Sequence, residues 1–175
     1  MRKALYLVAG LAVFISAGAF AQSVPERTGV NSLLGVAPKT ADFVKQVAIS
    51  DMFEIASSKL AEEKGGSQVK TFASRMVIDH TKTTNELKGM VAKAKAELPQ
   101  SMDNAHQSKL DKLKGLSGVE FDKQYSADQV SAHNDAVDLF ERYAKGGENA
   151  DLKAWAAKTL PALKHHQDMA ATLPK

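Results

Sequence analysis

Residues 65–99 read GGSQVKTFASRMVIDHTKTTNELKGMVAKAKAELP. Two glycines open the stretch and a Leu-Pro pair closes it. Between them Val69, Ala73, Met76, Leu87, Val91, Ala94 and Leu98 recur at steps of three and four, the period of one helical face. Ser67 is the expected N-cap. Leu98 is the expected end, because the residue before a proline is pushed out of the α region. At 1.5 Å per residue such a helix is about 48 Å long. One polar side chain interrupts the apolar stripe: His80, between Met76 and Leu87.

The flanks repeat this pattern. Thr40 is a plausible N-cap for a helix that runs to Lys64 and stops at Gly65-Gly66. Beyond Pro99 lies a connection to Ser117, expected to hold a short helix around Ala105–Leu116 with Leu110, Leu113 and Leu116 inward. A third long helix starts near Val119 and carries Phe121, Tyr125, Val130, Val137, Phe140 and Ala144 up to Gly146-Gly147. A fourth spans Asn149 to Leu173, with Leu152, Ala156, Leu160, Leu163 and Ala170 inward. Pro161 lies inside it and should kink it. No strand pattern competes. The expected fold is all-α: a ferritin-like four-helix bundle. It consists of two antiparallel helical hairpins joined by a long crossover with a short extra helix.

The first residues read as an address. Met1-Arg2-Lys3 is basic, Ala4 to Ile15 is apolar, and Ala19-Phe20-Ala21 fits a cleavage site. The apolar run is too short to span a bilayer, which takes about 20 residues. The expected organisation is a signal peptide (1–21), an N-terminal arm (22–39) whose Leu33-Leu34-Gly35-Val36 patch docks on the bundle, and the bundle itself (40–175). Export implies a periplasmic location. The chain has 23 Lys+Arg against 20 Asp+Glu. Removing Arg2 and Lys3 leaves 21 against 20, a net of +1, with no dense basic run. Nucleic-acid binding is therefore not expected, and the mature chain has no transmembrane segment. The chain has no Cys, so it has no disulfide framework and must rely on core packing.

Three of the five histidines fall on inward stripes. His80 lies on the second long helix, His133 on the third between Val130 and Val137, and His166 on the fourth between Leu163 and Ala170. Glu54 lies on the side of Phe43 and Val47 on the first. One side chain from each helix can then converge in the core, where bundles build metal sites. Glu54 with three neutral imidazoles suits Zn²⁺, Cu²⁺, Ni²⁺ or iron. Asp79 and Asp122 are candidates to accept hydrogen bonds from the far ring nitrogens. The alternative is a structural His–carboxylate network, because a buried imidazole needs partners in either case. Dinuclear carboxylate chemistry is disfavoured. It needs Glu-x-x-His on two helices, whereas Val77, Val130 and Leu163 stand three residues before the histidines. Trp155 reads as a bundle anchor.

These residues resemble a known family. Asp42-Phe43-Val44, Ser50-Asp51-Met52-Phe53-Glu54-Ile55, and Phe72-Ala73 with Met76-Val77-Ile78-Asp79-His80 are similar to an exported bacterial ferritin-like family of unknown function, often labelled "predicted outer membrane protein". Phe121-Asp122 with Tyr125, His133, Phe140, and Leu160-Pro161 followed by His166 agree. The resemblance covers about residues 40–172. It implies a ferritin-like fold, an envelope location and no assigned activity, and its pattern marks Glu54, Asp79, His80, Asp122, His133 and His166. The expected function is an exported helical-bundle protein acting as a binding or structural module of the cell envelope. The alternative is a mononuclear protein holding one transition-metal ion (Zn, Cu or Fe) in the bundle core. A metal-dependent enzyme ranks below both. No catalytic residue is assigned, and the sequence leaves a homo-oligomer open.

Overall fold

The computed structural model describes residues 30–175, and they contain helices and no strand. The elements are α1 (Val30–Leu33), α2 (Thr40–Lys64), α3 (Ser67–Ala94), α4 (Asn104–Lys114), α5 (Gly118–Gly146) and α6 (Ala150–Ala171). The expected signal peptide lies outside the described residues. No helix among the described residues is long and apolar enough to cross a membrane.

Glycines set the hairpins. The Gly65 amide hydrogen-bonds to the Ala61 carbonyl and ends α2. A Cβ at Gly65 would come within 2.6 Å of Val69 Cγ1, so only glycine allows α3 to restart so close. Gly147 plays the same part between α5 and α6, with its amide on the Tyr143 carbonyl at 2.7 Å. The long helices pack as α2 on α3 and α5 on α6, and α2 also meets α5 while α3 meets α6. The crossover helix α4 packs on α2 and α5. Asp103 caps α4 through the His106 amide, and Asn149 caps α6 through the Leu152 amide.

α3 ends earlier than its apolar pattern suggests, at Ala94 instead of Leu98. Lys95 adopts the left-handed conformation (φ 51°), and the Ala96 amide bonds back to the Val91 carbonyl. Ala96 and Leu98 still pack on the core, which is why the periodicity runs past the last helical turn. A left-handed lysine is strained relative to glycine by about 1 kcal/mol. Lys95→Gly is therefore expected to raise the denaturant midpoint by an amount equivalent to about 1 kcal/mol. Pro161 sits inside α6, as expected, and the helix continues through it to Ala171.

The arm does not dock through its leucines. Leu33, Leu34 and Val36 are exposed. Polar contacts hold it instead: Ser32 Oγ donates to Asp138, and Arg142 Nη1 donates to the Val36 carbonyl at 2.8 Å.

The core falls into two apolar clusters at opposite ends of the long helices. One gathers Phe43, Val47, Leu87, Phe140, Tyr143, Leu152 and Trp155. Phe43 stacks on Tyr143 with centroids 3.8 Å apart, and Trp155 Nε1 donates to Glu86. The other gathers Phe53, Val69, Phe72, Met76, Leu113, Phe121 and Tyr125. Each such side chain contributes about 1.5–3 kcal/mol by leaving water. On α3 the order is Met76, His80, Leu87; on α5 it is Tyr125, His133, Val137; on α6 it is Leu163, His166, Ala170. On each of these helices the histidine falls where one cluster gives way to the other. That shared position between the two clusters brings the three imidazoles to one depth.

A three-histidine candidate metal centre

The three rings meet. Their centroids are 5.5–5.7 Å apart, pair by pair. One donor nitrogen from each of His80, His133 and His166 lies within 4.8 Å of the other two. All three residues are buried, with 4 %, 1 % and 2 % exposure.

Each ring is held by an acceptor on its outer nitrogen. His80 Nδ1 bonds to Asp51 Oδ1 at 2.8 Å, His133 Nδ1 to the Gln129 carbonyl at 2.9 Å, and His166 Nε2 to Asp79 Oδ2 at 2.8 Å. Carboxylates and carbonyls only accept, so these ring nitrogens must donate. In the neutral imidazole the other nitrogen then carries a lone pair. Those nitrogens are His80 Nε2, His133 Nε2 and His166 Nδ1, and none has a hydrogen-bond partner. Three fixed lone pairs therefore share one buried space.

The electrostatics follow from burial and neighbours. Burial holds His133 far below the usual imidazole range, to about 3, and His80 pushes the same way. Burial also lowers His166, against the opposing pull of Asp79. Burial would lower His80 too, but its hydrogen bond and ion pair with Asp51 more than offset this, and the net shift is upward. Burial resists ionisation of Asp79, yet its bonds to Arg75 and His166 bring it below the usual carboxylate range.

Glu54 is buried too, but it is not among the three donors that share this space. Burial raises its carboxyl to about 7, and His80 pulls in the opposite direction. The Gln129 amide lies near enough to lower it, yet neither group makes a hydrogen bond of ordinary geometry. Asp79 bonds to His166 on α6, not to the adjacent His80. Asp122 does not reach any histidine: both its oxygens accept from the Gly66 amide at 3.1 Å, where α3 begins. The residue the sequence reading passed over is Asp51. Its Oδ1 orients His80, and its Oδ2 accepts from Thr83 at 2.8 Å and Thr84 at 3.0 Å. Its spacing carried a signal, since Asp51 lies three residues before Glu54 and shares its helix face. His106 bonds to Asp103 and packs on Phe53, while His165 is exposed.

The model of one protein family, described as a domain of unknown function (DUF4142), matches residues 26–173. The chain belongs to the DUF4142 family. The match takes in all three histidines and both carboxylates that orient them. No curated protein and no solved structure matches the chain. For this DUF4142 domain, chemistry must therefore be argued from the side chains themselves.

Proposed function

We propose that the protein is an exported metal-binding module of the cell envelope, with one transition-metal ion held by His80, His133 and His166 in a ferritin-like bundle. The observation that carries this reading is the set of three unpartnered inward nitrogens, each fixed as a lone-pair donor from behind. A purely structural network would pair those nitrogens with donors. Here they face one another, which costs free energy that a cation would return. Three imidazole nitrogens suit Zn²⁺, Cu²⁺ or iron. A tetrahedral zinc centre needs donor separations of roughly 3.3 Å. The rings, within 4.8 Å now, would close by at most about 1.5 Å. Asp51 and Asp79 would raise ligand basicity through the rings they orient. Together with ionised Glu54 they would balance the buried charge. Export is supported by the basic, apolar and Ala-x-Ala pattern of residues 1–21.

The test is a titration of chelator-stripped protein with Zn²⁺, read by calorimetry and elemental analysis. One equivalent is expected. Less than a tenth of an equivalent of Zn²⁺, Cu²⁺ or Fe²⁺ would leave only the structural role.

A further inference from the structure

An ion bound at this centre must first reach nitrogens that are sealed from water. One cavity, of about 270 Å³, touches the centre. Its wall includes His80 and Thr83 of α3 and Leu163 of α6, together with stretches of α2, α4 and α5. Exposed residues, Asp103 and Asp135, belong to the same wall as buried Asp51, His80 and Leu163. The space therefore runs from the surface to the layer of the histidines.

The charge on that wall has a sign. The wall carries Asp51, Asp103, Asp135 and Asp138 together with Lys109 and Arg142, so four acidic groups stand beside two basic ones. Arg142 is also tied to Asp138 and to the Val36 carbonyl. A confined space with low-dielectric walls and net negative charge concentrates cations and repels anions. The carboxylates stand at successive depths. Asp103 and Asp135 are exposed, Asp138 is half-buried, and Asp51 is buried and bonded directly to His80.

We propose that this cavity is the entry port through which a divalent cation reaches His80, His133 and His166, with Asp103 and Asp135 at its mouth and Asp51 as the last carboxylate before the ligands. The inference rests on the metal-binding reading above. It adds a prediction that reading does not make: the rate of loading depends on side chains that never touch the bound ion.

The experiment follows Co²⁺ uptake by the purified, metal-stripped protein in stopped flow, using the visible absorption of the bound ion. The test variant is Asp103→Asn with Asp135→Asn. Asparagine still caps α4, and neither residue bonds to His80, His133 or His166. The control is Asp111→Asn with Asp151→Asn, which removes the same charge outside the cavity. The port variant should load about three- to tenfold more slowly at low ionic strength, with the difference shrinking as salt is added. It should still reach one equivalent with wild-type affinity, and the control should load at the wild-type rate. Loading at the wild-type rate in the port variant, or equal slowing in the control, overturns the port and leaves the centre standing. Absence of Co²⁺ uptake by the wild type overturns both.

Discussion

His133→Leu is expected to abolish metal uptake while leaving the metal-free protein as stable as the wild type, or more stable. The two effects separate because of what His133 touches. Its only hydrogen bond runs from Nδ1 to the Gln129 carbonyl one turn earlier on α5, a group that the helix ladder already engages. Its Nε2 has no partner. Leucine removes a buried, unsatisfied nitrogen and orphans nothing, so the unfolding free energy should stay level or rise by up to about 1 kcal/mol. Binding is another matter. Losing one of three ligands should weaken affinity by more than the roughly 10–100-fold that loss of an orienting partner costs. At a metal concentration 100 times the wild-type Kd, the wild type gains about 2.7 kcal/mol of stability from the ion and the variant gains almost none. His80→Leu makes the contrast. It strips Asp51 of its imidazole and leaves a buried carboxylate with only Thr83 and Thr84. That change should cost the metal-free protein about 1–3 kcal/mol. Denaturant unfolding with and without Zn²⁺ reads all of these quantities. A marked loss of metal-free stability in His133→Leu would mean that the ring holds the core together, as a structural network requires.

That separation explains which parts of the centre could be read from the chain. His80, His133 and His166 stood out because each breaks an apolar stripe, and stripes at steps of three and four are visible in one dimension. Their common depth was not visible. It depends on where the two apolar clusters meet along three helices, and so on hairpin register. Asp51 was hidden because α2 is buried over much of its circumference, from Phe43 and Val44 through Phe53 to Ser57 and Ser58, so no single stripe marks its inward face. Asp122 was assigned by its chemistry alone. It stands eleven residues before His133, about 16 Å along the helix axis, farther than an imidazole reaches, and its place at the start of α3 follows from the bundle ends coming together. Asp79 serves His166 because neighbouring residues on a helix point in different directions: His80 faces the centre, and Asp79 meets the next helix.

Glu54 supplies the second large effect, a stability that falls as the pH rises without the ion and is held level by it. Burial raises its folded pKa to about 7, from 4.5 in an exposed chain. A raised pKa means that the folded state binds the proton more tightly than the unfolded one. The contribution is therefore fully present below pH 4.5 and is lost as the pH rises through 7. At about 1.4 kcal/mol per unit, the loss between pH 4 and pH 9 is on the order of 3 kcal/mol. Glu54→Gln keeps the shape and abolishes the titration. The metal-free variant should therefore gain on the wild type by that amount across the interval, as measured by denaturant unfolding at each pH. His133 acts the other way. Its pKa is depressed to about 3, so its contribution is complete above 6.5 and drains away as the pH falls from 6.5 toward 3. The two slopes oppose each other in the wild type between about pH 4.5 and pH 6.5, and only the single variants expose them. A bound dication favours the ionised carboxylate, pulls the folded pKa of Glu54 back toward that of the exposed group, and so removes the loss. In the loaded protein the Glu54 contribution should stay level from pH 6 to pH 8, so the loaded wild type and Glu54→Gln should run parallel there, and metal affinity in the variant should fall. Identical pH profiles for metal-free wild type and metal-free Glu54→Gln would mean that this carboxyl is not held in the desolvated setting on which the charge balance of the centre depends.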